Sequence, residues 1–318
     1  MATILDRCYL GTFELHDIEN IRSHAPSAAL LCAKMSNLVY AIKDSANPRG
    51  IDWIPDKQLR EEPGTRDGLE VTDLNKYSEG SQEPNERFFV SVPGGAALGI
   101  KRNDTIVVAF RGTSNGDDWA INLHGAGLKG PAVVRYPLNL HTLDAFLHVG
   151  FLSIANALAL AIAAPLKSFI QRASKPKVLF CGHSLGGALA LLAGQPERDS
   201  WGPKLPYSDG VDAIYTFGAP KVGNDQLGLL LSTVNFRYTL IGDPVPRVPP
   251  AWGFVHNVPS IRLDPYEHGP APGVLAKITK GWQRGRGMLD SSAKAISELL
   301  SAEHDIALYV ETIKNAMR

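Results

Sequence analysis

The chain has 318 residues, 44% apolar and 20% charged, which is the composition of a globular protein with material for one large core. Its 32 Lys and Arg residues balance 32 Asp and Glu residues, so charge gives no reason to expect nucleic-acid binding. The three cysteines, Cys8, Cys32 and Cys181, lack the spacing of a metal site or a disulfide framework, and we expect free thiols.

The sequence contains no segment that we expect to cross a membrane. The longest uninterrupted apolar run, residues 157–166, is far shorter than the ~20 residues that a spanning helix needs. Asp6 and Arg7 lie where a secretory signal would require apolar residues. We therefore expect a protein without a Sec-type signal, either cytoplasmic or exported by another route.

We expect residues 1–318 to form one α/β domain in three parts. Residues 1–86 contain an amphipathic helix at 27–43, followed by a charged, proline-rich segment that wraps the main body. Residues 87–260 form the core, and residues 261–318 form a loop and C-terminal helices.

Within the core, short β-branched or aromatic runs at 87–92, 97–101 and 105–110 predict a small meander. Helices and strands then alternate, which is typical of a mainly parallel sheet covered by helices. The predicted elements are a helix at 151–171, a strand at 177–181, a helix at 185–194, a strand at 212–217, a helix near 225–232 and a strand at 235–241.

Residues 182–186, Gly182-His183-Ser184-Leu185-Gly186, form a G-x-S-x-G motif between a predicted strand and a predicted helix. A tight turn there pushes the Ser184 hydroxyl above the sheet, and the two glycines leave room for close backbone approach. The Leu185 amide, at the helix N-terminus, would face the oxygen of a bound ester. Ser184 is therefore the expected nucleophile; the alternative is a glycine-rich turn without a catalytic role.

The acid and the base of a triad with this motif follow the nucleophile along the chain, acid first. Asp243 lies just past a predicted strand, at the sheet edge where such sites assemble, and is the expected acid. Asp264, after a further strand at 258–263, is its alternative. His304 is the expected base, because the apolar-periodic helix after it would hold its ring.

Three other histidines have different expected roles. His256 lies next to a short apolar run and should be packed and hydrogen-bonded. His268, in a loop rich in proline and glycine, stays open as an alternative base or a surface residue. His183 should point away from the nucleophile and serve as a buried, hydrogen-bonded support.

The second oxyanion donor is expected in the loop after the strand at 105–110. Arg111-Gly112-Thr113-Ser114 makes a tight turn there, and Thr113 offers both an amide and a hydroxyl.

These ordered segments resemble the class 3 lipases, whose best-known members are fungal triacylglycerol lipases. The resemblance covers about residues 87–260 and rests on blocks at 108–113, 118–123, 148–151, 182–188, 215–224 and 242–250, with His304 and Tyr309 as a looser match. It implies an α/β-hydrolase fold with a mostly parallel central sheet. It also implies a Ser184, Asp243 and His304 triad, and an oxyanion hole from Thr113 and Leu185.

The resemblance further implies a lid at about residues 114–130. Trp119 and Leu123 are four residues apart, so they share one face of a short helix that glycines flank on both sides. That apolar face would cover the nucleophile in water and turn outward at a lipid surface. The alternative is a fixed surface helix whose Trp119 belongs to the core.

The sequence as a whole predicts a serine carboxylester hydrolase, a triacylglycerol lipase or esterase, that needs no metal or organic cofactor. Its expected partners are a lipid or other acyl ester and a transient lipid interface, and we expect a monomer. One alternative is a phospholipase of the A1 type that acts on membrane lipids. The alternative from another class is a non-catalytic binding protein with a hydrolase fold.

Overall fold

A seven-stranded sheet forms the centre of the computed structural model, which describes residues 26–41, 65–66, 69–70, 87–112, 132–138, 141–196, 202, 207, 210–249, 253–265 and 304–317. In chain order the helices and strands are α1 (Pro26–Ala41), β1 (Thr65–Arg66), β2 (Leu69–Glu70), β3 (Arg87–Val92), β4 (Gly95–Arg102), β5 (Thr105–Arg111), β6 (Ala132–Leu138), β7 (His141–Leu147), α2 (Val149–Gln171), β8 (Lys177–His183), α3 (Leu185–Ala193), β9 (Ala213–Phe217), α4 (Asp225–Gly228), β10 (Asn235–Leu240), β11 (Ser260–Leu263) and α5 (Ile306–Ala316).

The central sheet is mostly parallel, as the alternation of strands and helices predicts. Its order is β11-β10-β9-β8-β5-β4-β3, with β5, β8, β9, β10 and β11 parallel and the β3–β4–β5 meander antiparallel at one edge. Every residue of β5 and β9 is buried, because helices cover both faces of the sheet. This is the α/β-hydrolase arrangement expected from the sequence.

Two layers of helices enclose the sheet. On one face, α1 and α5 share a hydrophobic core with residues such as Leu179 and Tyr215. On the other face, α2 and α3 pack against residues such as Val108 and Phe180. The predicted helix at 27–43 thus corresponds to α1, and its packing on β5 and β8 brings its C-terminal turn beside the ends of the central strands.

Helix α2 is long and apolar enough to cross a membrane by length and composition. In this structure one of its faces packs on the sheet; the buried residues are Phe151, Ala155, Leu158, Ala159, Ile162, Leu166 and Phe169. Their spacing of three and four residues is that of a helix with one face on a protein core. The absence of a membrane-spanning segment stays a prediction from the sequence.

A hairpin of β6 and β7 is the main element that the sequence patterns do not predict. The two strands pair antiparallel, from Ala132 opposite Leu147 to Leu138 opposite His141. Pro137 lies within the first strand, and a proline within a run argues against a strand when the sequence is considered alone. Helix α4 is also shorter than predicted, since it ends at Gly228.

The buried side chain of Asn224 ties this hairpin to the main body. Its Oδ1 accepts from the amide of Phe146 at 3.0 Å and from the amide of Leu227, in the first turn of α4, at 3.1 Å. Its Nδ2 donates to the Asp144 carbonyl at 3.3 Å. One amide side chain therefore satisfies backbone groups of β7 and caps α4.

Replacement of Asn224 by alanine should lower the free energy of unfolding by about 1–3 kcal/mol, because the two amides lose their acceptor. Asn224→Asp replaces the amide oxygen with a carboxylate oxygen that can accept from both backbone amides, and should retain more of the stability. Urea unfolding followed by circular dichroism measures both variants. Equal stability of Asn224→Ala and the wild type would contradict this role.

Candidate active site

Ser184 occupies a strained turn between β8 and α3. Its backbone has φ 59° and ψ −133°, a positive-φ conformation that residues other than glycine rarely adopt. Its amide donates to the carbonyl of Phe217, at the end of β9, at 2.9 Å. The turn therefore presents the serine at the carboxyl ends of two adjacent parallel strands.

Glycines on both sides of Ser184 allow this turn to pack. A Cβ at Gly182 would lie 2.3 Å from the carbonyl group of Gly186, and a Cβ at Gly186 would lie 2.1 Å from the Phe110 carbonyl oxygen. Backbone atoms occupy both spaces, so no side chain can enter either one. The first and last positions of the motif thus require glycine on packing grounds alone.

The carboxylate of Asp243 lies just past β10 and is completely buried. Both of its oxygens lie 2.9 Å from Nδ1 of His304. Oδ1 also accepts from the amide of Val245 at 2.9 Å, and Oδ2 accepts from the hydroxyl of Tyr309 at 2.6 Å. These donors offset the cost of removing a carboxylate from water.

The contacts of His304 determine which of its ring nitrogens carries the proton in the neutral form. A carboxylate only accepts, so Nδ1 carries the proton and donates to Asp243. Nε2 is then the basic nitrogen. The His304 side chain is 14% exposed, which makes it the less buried member of the pair.

Tyr309 contacts the Asp243 carboxylate, whereas its sequence context gives only a loose match to the family. Besides donating to Asp243, its hydroxyl accepts from the amide of Leu240 at 3.1 Å. Burial, together with the charge of the Asp243 carboxylate, raises the pKa of Tyr309 well above its ordinary value. The phenol therefore stays protonated and remains a donor to the carboxylate.

Gly218 lies beside Asp243, His304 and Tyr309, where there is no room for a side chain. It has φ +60°, and a Cβ there would lie 2.6 Å from Asp243 Oδ2 and 2.9 Å from both His304 Cε1 and the Tyr309 hydroxyl. Gly218 follows Phe217, whose carbonyl accepts from the Ser184 amide. The turn that carries Ser184 and the Asp243–His304 pair thus meet at the end of β9.

The structure describes one of the two residues that are expected to form the oxyanion hole. Leu185 is buried at the first position of α3, and a Cβ at Gly112 would lie 2.7 Å from the Leu185 Cβ. The chain leaving β5 therefore runs against Leu185. Thr113, the expected oxyanion donor, lies outside the described residues, as do Trp119 and Leu123 of the predicted lid.

The structure also gives the contacts of the candidate acid and of two of the other histidines. Asp243, the expected acid, contacts His304. His183 is buried, and its Nε2 lies 2.7 Å from the His304 carbonyl oxygen, so the expected support has a specific partner. His256 is packed and donates from Nε2 to the Pro246 carbonyl at 2.7 Å, as expected. His268 lies outside the described residues.

Two of the three cysteines lie in the described part of the chain. Cys32 and Cys181 are free and buried, as expected, while Cys8 lies outside the described residues. Among the residues that the structure describes, no group of three or more His, Cys, Asp or Glu side chains is arranged to hold a metal ion.

Comparison with known proteins points to one family. The profile of Lipase (class 3) matches residues 107–252, a span that includes Ser184 and Asp243 and ends before His304. A secreted mono- and diacylglycerol lipase of Fusarium solani is 32% identical over 163 residues, which are 50% of this chain and 44% of the relative. A lipase of Rhizomucor miehei is 34% identical over 156 residues, 48% of this chain and 40% of the relative.

A solved structure of the Rhizomucor miehei triacylglyceride lipase aligns with 26% identity and a TM-score of 0.41, covering 54% of this chain and 61% of that one. This chain spans less than half the length of the two curated relatives named above.

Gly218→Ala should reduce kcat by about 100-fold or more, because the added methyl would displace the carboxylate or the imidazole. Gly253→Ala is a matched control: Gly253 has φ +64°, with nothing within 4 Å of an added Cβ. Both variants should lose about 1 kcal/mol of stability from backbone strain, but only Gly218→Ala should lose activity. Ester hydrolysis and thermal melts separate the two effects. Similar kcat values for the two variants would be evidence against the assigned geometry.

The unfolding free energy should depend on pH through His256. Burial, followed by repulsion from Arg237 and Lys221, lowers the pKa of His256 to about 4, against about 6.5 for an unperturbed histidine. Between these values the unfolded chain binds a proton that the folded protein does not bind. Stability should therefore fall by up to about 3 kcal/mol as the pH decreases from about 6.5 to about 4.

His256→Gln retains a donor for the Pro246 carbonyl but does not titrate. Urea unfolding of both proteins across this pH range should show a shallower pH dependence for the variant. If the two curves run parallel, His256 does not carry this dependence.

Proposed function

We propose that the protein is a serine carboxylester hydrolase that cleaves acylglycerols, since residues 107–252 match the profile of the class 3 lipases. The observation that carries the proposal is the convergence of three groups at neighbouring strand ends. Ser184 follows β8, Gly218 follows β9, and Asp243 follows β10 with His304 bonded to its carboxylate. Ligands of open parallel sheets bind at this edge.

In the proposed reaction, the Ser184 hydroxyl attacks the ester carbonyl while His304 Nε2 takes its proton. Asp243 keeps the imidazole oriented and stabilises the imidazolium that forms. His304 then gives the proton to the departing glycerol oxygen. Water, activated by the same imidazole, attacks the acyl-enzyme, releases the fatty acid and regenerates Ser184.

The charge that develops on the ester oxygen requires donors in fixed positions. We assign this role to the amide of Leu185, at the N-terminus of α3, and to Thr113 in the loop after β5. The close approach of Gly112 to Leu185 supports this pairing, because it directs the chain before Thr113 toward the start of α3. The partial positive charge of a helix N-terminus adds to the stabilisation.

The names of the relatives favour acylglycerols as the substrate class. The Fusarium solani protein is named for mono- and diacylglycerols and the Rhizomucor miehei structure for triacylglycerides. No feature of the described residues favours the phospholipase alternative. We expect the hydrolase to act as a monomer that meets its substrate at a transient lipid interface.

Ser184→Ala should abolish hydrolysis of dibutyrin and of p-nitrophenyl butyrate, with a loss in kcat of about 10⁴ or more. A fluorophosphonate probe should label the wild type and not the variant. Ser174→Ala, which changes an exposed serine bonded to Asp104, is the control that should retain full activity. Asp243→Ala and His304→Ala should approach the Ser184→Ala level.

The same assays on mono-, di- and triacylglycerol emulsions and on phosphatidylcholine vesicles test the substrate class. Release of fatty acid from phosphatidylcholine at rates equal to those from acylglycerols would overturn the acylglycerol assignment. A wild type that neither hydrolyses esters nor reacts with the probe would instead identify a non-catalytic binding protein.

A further inference from the structure

We propose that His183, the residue before the nucleophile, is a positioning residue for the base of the hydrolase. Its side chain contacts both the main chain and the ring of His304, and thereby holds the base in register with Ser184. This inference rests on the proposed function and adds to it a residue that does not belong to the triad.

The first contact is a hydrogen bond to the main chain of the base. His183 Nε2 lies 2.7 Å from the carbonyl oxygen of His304, and the side chain of His183 is buried. A carbonyl oxygen can only accept, so Nε2 carries a proton and donates it. A short, buried hydrogen bond of this kind restricts the motion of the peptide that carries the base.

This anchor matters because His304 precedes regular structure. Helix α5 begins at Ile306, and its N-cap is Asp305, whose side chain accepts from the amide of Ala307 at 3.0 Å. The helix therefore fixes the chain only from the residue after the base. The bond from His183 holds the His304 peptide itself, and the bond to Asp243 holds the ring.

The second contact is between the two imidazole rings. Their centroids are 4.4 Å apart, with an angle of 33° between the ring planes. Tyr40 and Tyr309 each approach the His183 ring edge-on, with centroid distances of 5.9 Å. Because these aromatic side chains confine the His183 ring, that ring in turn limits rotation of the base on the face that it covers.

Tyr40 also fixes the main chain of His183. Its hydroxyl, from the last turn of α1, donates to the His183 carbonyl at 3.3 Å. That carbonyl belongs to the peptide that joins His183 to Ser184. A displacement of the nucleophile's turn therefore moves the His183 ring, and with it the main-chain anchor of the base. The geometry couples the position of the nucleophile to that of the base through one side chain.

Two substitutions separate the hydrogen bond from the ring. His183→Phe retains an aromatic ring and removes the donor, whereas His183→Gln removes the ring and retains an amide donor near the position of Nε2. His183→Phe should lower kcat by about 10- to 100-fold with KM within about threefold of the wild type, since the base is misplaced while the acyl site is intact. His183→Gln should recover most of that loss.

A third variant keeps the test decisive if His183→Phe does not fold. His183→Asn carries the same amide as His183→Gln on a side chain one carbon shorter, which cannot reach the His304 carbonyl. His183→Gln should then exceed His183→Asn in kcat at comparable melting temperatures. Equal kcat for Gln and Asn, or activity that follows only the melting temperature, would overturn the proposal.

His256 provides the matched control. It makes a ring-to-carbonyl hydrogen bond of the same length, 2.7 Å, to Pro246 rather than to a residue of the triad. His256→Phe should lower the melting temperature while kcat of the folded protein stays within about threefold of the wild type. A loss of kcat equal to that of His183→Phe would show that any such bond matters equally, and would count against a positioning role.

A measurement independent of activity separates this proposal from the proposed function. Long-range proton–nitrogen NMR spectra of the histidine side chains should show a proton on Nε2 of His183. If the wild type is not labelled by a fluorophosphonate, the proposed hydrolase function is refuted, but the hydrogen bond from His183 to the His304 carbonyl is not. A His183 ring without a proton on Nε2 would refute the positioning bond even in an active enzyme.

Discussion

The hydrogen bond between the Asp243 carboxylate and His304 Nδ1 is the interaction on which the rest of the site depends. This hydrogen bond selects the His304 tautomer in which Nε2 is the basic nitrogen. It also requires a carboxylate at Asp243, whose side chain has no exposure to water. A buried carboxylate is tolerated only with several donors around it. The amide of Val245 and the hydroxyl of Tyr309 are two of these donors. The loop after β10 and helix α5 therefore each donate a hydrogen bond to the Asp243 carboxylate.

The parallel sheet makes this convergence possible. Residues that follow β8, β9 and β10 are distant in sequence, but parallel strands end at the same edge, and the register of the sheet places those ends side by side. Close packing then decides which residues can stand there. Gly186 meets the Phe110 carbonyl, and Gly218 meets the carboxylate, so both positions exclude side chains for reasons of space.

Elements outside the span matched by the lipase family complete the arrangement. Helix α5 carries Tyr309 against Asp243, and the last turn of α1 carries Tyr40 against the chain before Ser184. Arg111, at the end of β5, donates to the carbonyl of Val39 in the same turn of α1 at 3.2 Å. Helix α1 therefore contacts two of the segments from which the site is built.

Periodicity and motif determined much of this protein from the sequence by itself. The alternation of strands and helices and the G-x-S-x-G turn depend on neighbouring residues, and local patterns carry that information. Local patterns could not predict β6 and β7, since Pro137 obscures the strand signal. They also could not predict that Tyr309 would bond to Asp243 or that His183 would bond to the His304 carbonyl. Such contacts join residues 66 and 121 positions apart. Only the packing of α1 and α5 against the sheet decides them, because the partner of a buried polar group depends on which elements meet there.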